Sequence, residues 1–377
     1  MRLVRIIGTV GLAACATEDA MAPTLPADAS RDAQVRGSTV GAVYTQTNDA
    51  AGNAVALFAR ASDGSLTFVA NYATGGKGNG ATGLGSQGSV VIAEERFVLA
   101  VNAGSNEVSS FRIGNGNLTL VETIPSGGTM PISIASWGPF VYVLNAGSDN
   151  VTGFRINHLG DLTAIPGSTR SLSGSGVMPA QVSFSPNGRL VVVTEKATNR
   201  IDVFRVNING TLSGPSVHAS SGVTPFGFEF TRNGRLIVSE AFGGATDASA
   251  TSSYGLSLDG ALVPVSKSIP TTETAACWVV ITSNQAYAYV TNTGSNSVTG
   301  YRIAPNGALV RLSDDGVTGR TQRSPIDAAL SRGSQFLYTL DRSSGAISMF
   351  MVNANGSLTP TGTQTGLPTT SYGLAAR

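Results

Sequence analysis

The hydrophobic and polar positions fall into short runs separated by turn residues, and residues 178–218 contain the clearest set. Residues 178–184 and 189–194 predict two strands, the second a run rich in Val that must be buried on both faces. Residues 201–206 alternate between apolar and polar side chains, which predicts a third strand nearer solvent. An Asn-Gly turn leads into a fourth strand over residues 211–218. Together these runs predict one four-stranded antiparallel unit.

The last turn of this unit recurs seven times along the chain. Each copy has a glycine followed two residues later by a leucine, and in six copies an Asn or Asp precedes the glycine. The leucines are Leu66, Leu118, Leu162, Leu212, Leu262, Leu309 and Leu358, so successive copies lie 44 to 52 residues apart. Asn-Gly and Asp-Gly accept positive φ at low cost and therefore close tight β-hairpins. The sequence thus predicts seven copies of one unit.

We predict an all-β fold, a seven-bladed β-propeller over residues 41–377 in which each unit is one blade. One unit cannot bury its own faces, so all seven must close together. Residues 41–85 hold only three predicted strands, and a single strand is left over at residues 371–377. We expect these two segments to pair and complete the first blade, because a closed ring has no free sheet edges. The predicted blades between them include residues 86–128, 129–176, 223–274, 275–322 and 323–366.

Composition narrows the range of partners. Charged residues make up 12% of the chain, and the net charge is +1 with no basic run. A nucleic-acid partner is therefore not expected. The two histidines do not readily supply the three or four nitrogen and sulfur ligands of a zinc site. We expect a monomer whose partner is a small molecule or a surface ligand.

Residues 1–15 have the pattern of an export signal. Arg2 and Arg5 form a small positive region, and residues 6–14 form a short apolar core. We therefore expect an exported protein, either a cell-envelope lipoprotein or a secreted or periplasmic protein.

The end of this signal resembles the lipobox of bacterial lipoproteins at residues 12–15. The resemblance implies that Cys15 is lipidated and that the protein meets a membrane only through this lipid anchor. The alternative is an ordinary signal peptide cleaved near Ala14 or Ala16. Residues 16–40 lack hydrophobic periodicity and predict a flexible tether.

Several stretches of the repeat resemble one family of propeller proteins. They are residues 151–156, 178–189, the pair 223–226 and 234–235, and the Tyr-Val-Thr-Asn run at 289–292. These stretches are similar to the seven-bladed β-propeller lactonase family, which includes bacterial 6-phosphogluconolactonase. The resemblance extends over residues 41–377 and implies hydrolysis of a lactone or a similar cyclic ester.

Lactonase-family blades commonly carry His or Arg just after the proline that opens the innermost strand, at the mouth of the central channel. Such cations suit an anionic lactone. The equivalent positions here hold Ser133, Gln181, Gly227, Trp278 and Asp327. The one cation near such a proline is Arg323. This difference argues against a phosphosugar substrate, and it makes Gln181 and Trp278 candidates for substrate binding. The alternative for Trp278 is packing between blades.

A second set of polar side chains lies at the end of the second strand of successive blades. The set is Asn102, Asn145, Glu195, Glu240, Asn292 and Asp341. Its oxygens could converge on a hard cation such as Ca²⁺, with Glu195, Glu240 and Asp341 as the metal ligands. Asn145 and Asn292 would then contact the substrate. Alternatively, each side chain hydrogen-bonds the backbone of its own turn.

Two functional hypotheses follow from these residues. In the first, the protein is a lactone hydrolase in which Glu195, Glu240 and Asp327 act as general base or metal ligands and Arg323 stabilises the developing oxyanion. In the second, it is a non-catalytic exported propeller that binds protein or glycan, with the small-residue loop at 241–253 as a recognition loop or an inert insertion. A deep channel with converging carboxylates favours the enzyme, and a channel plugged by apolar side chains favours the binding module.

Overall fold

The structure is a computed structural model that describes residues 39–377. The expected lipidation site Cys15, the expected export signal and residues 16–38 of the expected tether lie outside the described residues. The described part folds into seven antiparallel sheets that form a ring. Within it, no helix has the length and apolar character needed to cross a membrane.

Each sheet is one blade, and blades one to four are built as follows. Blade one contains β1 (Thr39–Gln46), β2 (Ala54–Ala61), β3 (Leu66–Ala73) and β30 (Tyr372–Ala376). Blade two contains β4 (Val90–Ala93), β5 (Phe97–Asn102), β6 (Glu107–Ile113) and β7 (Leu118–Pro125). Blade three contains β8 (Pro131–Trp137), β9 (Phe140–Asn145), β10 (Asn150–Ile156), β11 (Leu162–Ala164) and β12 (Arg170–Ser171). Blade four contains β13 (Pro179–Phe184), β14 (Leu190–Glu195), β15 (Arg200–Val206) and β16 (Leu212–Ala219).

Blades five to seven repeat the pattern. Blade five contains β17 (Pro225–Phe230), β18 (Arg235–Glu240), β19 (Ala250–Leu256) and β20 (Leu262–Pro270). Blade six contains β21 (Ala276–Ile281), β22 (Tyr287–Asn292), β23 (Ser297–Ile303), β24 (Leu309–Arg311) and β25 (Gly319–Arg320). Blade seven contains β26 (Pro325–Leu330), β27 (Phe336–Asp341), β28 (Ala346–Val352) and β29 (Leu358–Thr365). Short 3₁₀ turns occur at Gly80–Thr82, Phe242–Gly244, Arg332–Ser334 and Arg342–Ser344.

The predicted closure of the ring is confirmed. Blade one takes β1, β2 and β3 from the start of the propeller and its innermost strand, β30, from the end of the chain. Val43 pairs with Ala376 and Tyr44 with Ala375 in an antiparallel register. β1 begins at Thr39, two residues before the predicted start of the propeller.

The recurring turn glycine marks the place where one blade docks on the next. Gly64 has φ of 86°, and a Cβ at this position would lie 2.3 Å from the Phe336 ring of blade seven. The Tyr338 hydroxyl, also from blade seven, donates a 2.9 Å hydrogen bond to the Gly64 carbonyl. Tyr289 makes the same 2.8 Å bond to Gly356 of the following blade. The glycine is therefore required both for the turn and for close packing between blades.

The innermost strands surround the central channel in the order β30, β4, β8, β13, β17, β21 and β26. Because neighbouring strands are antiparallel, each innermost strand begins on the face of the ring where the second strand of its blade ends. We call this side the upper face. It carries the connections between blades and the turns between the second and third strands.

Candidate functional site

Glu195 lies at the end of β14 and holds the segment that connects blade three to blade four. Its Oε1 accepts a 3.0 Å hydrogen bond from the Ser173 backbone N–H, and its Oε2 accepts a 2.6 Å bond from the Ser173 hydroxyl. Asp202 Oδ2 accepts a further 2.9 Å bond from the same N–H. We call such a contact an inter-blade joint. Both carboxylates are fully buried in it.

Glu240 lies in the joint between blades four and five. Its Oε1 accepts a 2.8 Å hydrogen bond from the Gly222 N–H and a 2.6 Å bond from the Ser252 hydroxyl, and Oε2 accepts a 2.6 Å bond from Ser268. Burial raises the pKa of Glu240, while these hydrogen bonds lower it. The joint satisfies both oxygens of this carboxylate.

Asp341 has the same position in the joint between blades six and seven. It accepts hydrogen bonds from the Gln322 N–H at 3.1 Å, the Thr339 hydroxyl at 3.0 Å and the Ser348 hydroxyl. Burial raises the pKa of Asp341 to about 6 against the effect of these hydrogen bonds. Its oxygens are therefore satisfied by its own blade and the adjoining connection.

The structure thus places Glu195, Glu240 and Asp341 in three separate joints, because each carboxylate binds a different connecting segment. Within residues 39–377, no group of three or more His, Cys, Asp or Glu side chains is arranged to hold a metal ion. The residues present do not fit a Ca²⁺ ion shared by these three carboxylates. This corrects the expected metal centre.

Asn145 and Asn292 are also fully buried, so they are not placed for substrate contact. The Asn145 amide donates to the Ser126 carbonyl at 3.4 Å and to the Asn150 side chain at 2.9 Å. The Asn292 amide donates to the hydroxyls of Ser297 and Thr299 at 3.0 and 2.9 Å. Their contacts are those of structural residues.

Asp327 closes the ring. Its carboxylate lies on β26 and accepts a 2.8 Å hydrogen bond from the Ala328 N–H and a 3.0 Å bond from the Leu374 N–H of β30. Burial raises its pKa well above the ordinary value. Arg323, by contrast, is exposed. The four residues expected to act together in catalysis are therefore not brought together.

Gln181 ties one innermost strand to the next. Its side-chain amide donates to the Phe228 carbonyl at 3.0 Å and accepts from the Phe228 N–H at 2.7 Å. Gln87, which precedes β4, makes the equivalent pair of bonds to Val279 at 2.8 and 3.1 Å. A Cβ on Gly227 would lie 2.2 Å from the Gln87 Oε1. Gln181 is thus part of the frame of the channel, which corrects its expected role in substrate binding.

The central channel is filled by a segment of the chain itself. We call residues 86–89 the plug. Ser86 donates to the Ile132 carbonyl at 2.7 Å, and Trp278 donates its indole N–H to the Ser86 carbonyl at 2.8 Å. Trp278 is fully buried, with its ring centre 5.0 Å from that of Phe226. It packs against the plug and is not a wall of an open pocket.

Two cations that the sequence reasoning missed lie at the channel mouth on the upper face. Lys196 donates from Nζ to the Gly85 carbonyl at 2.5 Å, and its ammonium lies 4.8 Å from the centre of the Phe226 ring. Arg342 donates to the Ala81 carbonyl at 2.5 Å and lies 5.2 Å from the centre of the Tyr372 ring. Burial lowers the pKa of Lys196 to about 8.

These two cations can be recognised in the sequence by comparing the repeats with each other. Lys196 directly follows Glu195, and Arg342 directly follows Asp341. The corresponding residues of the other blades are uncharged, namely Asn48, Ala103, Ala146, Ala241 and Thr293. The channel mouth therefore has two cations at a repeat position that is otherwise uncharged.

A separate cleft of about 560 Å³ lies on blade four beside residues 217–223, where it is lined by Thr198 and His218 among others. Glu195 and Glu240 are fully buried nearby and do not line it. The His218 Nε2 lies 2.9 Å from the Gly260 carbonyl. No carboxylate therefore lines this cleft together with His218.

The loop that leaves β18 is shorter than expected and is tied to its surroundings. It spans residues 241–249, because β19 already begins at Ala250. The backbone N–H groups of Ala241 and Phe242 donate to the carbonyls of Thr224 and Val223 at 3.0 and 3.1 Å.

Comparison with known proteins gives the family. The family model described as lactonase, 7-bladed beta-propeller, matches residues 51–173, 161–241 and 249–372. This chain belongs to the seven-bladed β-propeller lactonase family. No curated protein sequence matches it.

Solved structures with the same fold share little sequence with this lactonase-family protein. A protein from Lactobacillus plantarum has a TM-score of 0.72 at 16% identity, with 89% of this chain and 99% of that chain covered. A periplasmic gluconolactonase from Pseudomonas aeruginosa has a TM-score of 0.67 at 16% identity, with 86% and 97% covered. A Bacteroides fragilis protein assigned provisionally as a 6-phosphogluconolactonase has a TM-score of 0.71 at 18% identity, with 89% and 98% covered. At these identities the likeness concerns the fold alone.

Proposed function

We propose that the protein hydrolyses a lactone at the mouth of the channel, with Lys196 as the residue that stabilises the oxyanion. The observation that carries this proposal is the Lys196 ammonium, which already donates to a carbonyl oxygen, that of Gly85, at 2.5 Å. Membership of the lactonase family supports a reaction of this class.

The reaction would consume one water. The water oxygen attacks the carbonyl carbon of the lactone, and the carbonyl oxygen takes the negative charge. The ring C–O bond then breaks, a proton from the attacking water passes to the leaving oxygen, and the product is a hydroxy acid. A cation aimed at the carbonyl oxygen stabilises the charge as it develops, and a desolvated cation does so more strongly than one in water.

Arg342 would bind the remaining acceptor oxygens of the substrate. Its guanidinium is always charged and offers several N–H donors in a fixed plane, which suits a carboxylate. Together the two cations favour a lactone that carries an anionic group. This replaces Arg323 as the expected cation and assigns no role to Glu195, Glu240 or Asp327 in the chemical step.

The test measures hydrolysis of small, acyl-homoserine and sugar lactones, the last with and without a carboxylate, using a pH indicator. Lys196→Met is expected to lower kcat about 100-fold or more, as loss of an oxyanion donor does. Lys267→Met, on the exposed part of β20, is the matched control and should leave kcat unchanged. Equal activity of Lys196→Met and the native protein would reject the role of Lys196.

The pH dependence separates a charge requirement from a structural one. With a pKa of about 8, the Lys196 ammonium is protonated below that pH and loses its charge above it. The native rate, relative to that of Lys196→Arg, should therefore fall as pH rises through about 8, because the arginine stays charged. A constant ratio across this range would mean that the charge of Lys196 does not act in the reaction.

A non-catalytic binding module is the second candidate, and the plugged channel is the observation that favours it. Trp278 and Ser86 of the plug are fully buried and hydrogen-bonded to each other in the channel. If no lactone is hydrolysed by a protein that unfolds cooperatively, we assign the upper face to ligand binding instead.

A further inference from the structure

The segment that precedes the plug contacts both cations at the channel mouth, and both cations are half-buried. It comprises residues 80–85, with the sequence Gly-Ala-Thr-Gly-Leu-Gly, and we call it the cap. The cap has no charged side chain, and its glycines all have positive φ, namely 65° at Gly80, 71° at Gly83 and 56° at Gly85. Because glycine moves between conformations more easily than other residues, the cap can change its path at three points.

The cap is held more lightly than the plug. Ala81 and Thr82 are exposed, whereas Leu84 is buried in the core. The Asn79 amide donates within the loop to the Gly83 carbonyl at 2.6 Å, and Gly80 exchanges hydrogen bonds with Asn48 at 2.9 and 3.2 Å. In the plug, Gln87 alone makes four hydrogen bonds to innermost strands, from its backbone and its side chain. Opening of the cap must therefore withdraw Leu84 from the core, while the hydrogen bonds of Gln87 keep the plug in place.

The cap pairs the two cations with neutral carbonyls, which are weaker partners than an anion. Lys196 and Arg342 donate to the carbonyls of Gly85 and Ala81. Burial is the sole cause that lowers the pKa of Lys196, with no carboxylate among its partners. The bonds to the carbonyls have one charged partner, whereas a carboxylate adds the attraction of a second, opposite charge. A carboxylate would therefore compete well for these two donors.

We propose that the cap is a displaceable cover that occupies, with the carbonyls of Gly85 and Ala81, the binding site of a small ligand bearing a carboxylate and a second acceptor oxygen. A lactone with a carboxylate, or the hydroxy acid formed from it, has this chemistry, so the inference rests on the proposed function for its substrate class. Because only molecules with an open cap can bind this ligand, its apparent affinity is the intrinsic affinity multiplied by the fraction of molecules whose cap is open.

The test opens the cap by a substitution and measures the accessibility of Lys196. In Gly83→Ala, the new Cβ would lie 2.4 Å from the Tyr372 hydroxyl, so the closed cap is destabilised. Gly116→Ala is the matched control, because Gly116 also has positive φ, 77°, but no atom lies within 4 Å of the new Cβ. The probe is acetic anhydride at pH 8, with acetylation measured by mass spectrometry. The exposed Lys77 and Lys267 are internal standards.

The expected result is that Lys196 is acetylated at least ten times more slowly than the two standards in the native protein and in Gly116→Ala. In Gly83→Ala, the acetylation rate of Lys196 should rise towards the rates of Lys77 and Lys267. Addition of D-gluconate, a hydroxy acid with a carboxylate, should slow the acetylation of Lys196 again but not that of Lys77 or Lys267. The KM for a lactone with a carboxylate should fall several-fold in Gly83→Ala.

Two results would overturn the proposal. Unchanged acetylation of Lys196 in Gly83→Ala would mean that the cap does not move, and opening without protection by D-gluconate would mean that the site does not take a carboxylate. If Gly83→Ala does not fold, Asn79→Ala loosens the cap from the other side by removing the bond to the Gly83 carbonyl. Acetylation does not require catalytic turnover. A protein whose cap opens and that binds D-gluconate, but that hydrolyses no lactone, would therefore refute the proposed function and still support the proposal for the cap.

Discussion

At the scale of the residue, Asp202 is the exception in a repeated joint. The corresponding residues of the third strands are Ala56, Ser109, Thr152, Ser252, Thr299 and Ser348. In blade four alone this neutral residue is replaced by a second buried carboxylate, next to that of Glu195. Its Oδ1 has no hydrogen-bond partner in the joint. Burial and the charge of Glu195 raise the pKa of Asp202 to about 8, although the Ser173 N–H and Arg200 lower it.

Asp202→Ser, which restores the hydroxyl found in other blades, should therefore change the pH dependence of stability. Asp202 keeps a proton in the folded state between about pH 4 and 8 but loses it in the unfolded state, so its contribution falls as pH rises through this window. The Tm of Asp202→Ser relative to the native protein should rise from pH 4 to pH 8. Calorimetry at several pH values tests this. Parallel Tm curves would refute it, and the exposed Asp314→Ser serves as the control.

At the scale of the element, the innermost strands are joined by side chains where their backbones do not pair with each other. Each innermost strand is the edge strand of its sheet, so the backbone groups on its inner edge need partners other than a neighbouring strand. The side chain of Gln181 hydrogen-bonds the backbone of Phe228 in this way. Gln87 does the same for the backbone of Val279, and Asp327 for that of Leu374. The positions that the lactonase resemblance assigned to a binding site are therefore used here to hold the ring.

Gln87→Ala should destabilise the fold, because it leaves both the N–H and the carbonyl of Val279 without a partner in the interior. Each unsatisfied buried group costs about 1–3 kcal/mol. The midpoint of urea unfolding should therefore fall clearly. Gln335→Ala, at an exposed glutamine, should leave the midpoint within error. An unchanged midpoint in Gln87→Ala would show that the plug does not stabilise the ring.

At the scale of the whole molecule, the ring depends on a strand from the far end of the chain. β30 pairs with β1 in blade one and also packs against β26 and β4 of the two neighbouring blades. Tyr372 of β30 is fully buried. Without β30, blade one has no innermost strand and the hydrogen-bonding edge of β1 is exposed.

Deletion of residues 367–377 should abolish the cooperative unfolding transition, since all seven blades share one closed ring. Differential scanning calorimetry tests this, and a truncated protein that keeps the native Tm would contradict it. The control moves residues 367–377 to a position before Thr39 through a short glycine linker. Because Arg377 and Ala42 exchange backbone hydrogen bonds, this hairpin is geometrically simple and should restore the transition.

The sequence by itself determined the architecture, because the architecture depends on local rules. Turn glycines with Asn or Asp, buried Val and Leu runs such as that of β14, and a strand left over at residues 371–377 are all read from short segments. The family follows from the same repeated stretches. The number of blades and the closure of the ring were predictable for this reason.

The tertiary structure alone decided what each polar residue does. Glu195 and Glu240 share a repeat position, but only the fold shows that this position faces a joint and not a common centre. Asp327 likewise meets Leu374, a residue from the other end of the propeller. Lys196 and Arg342 are 146 positions apart by subtraction of their numbers and come together on the cap only because the ring closes. A repeat fixes where its residues lie within a blade, whereas a site between blades depends on distances that no single repeat contains.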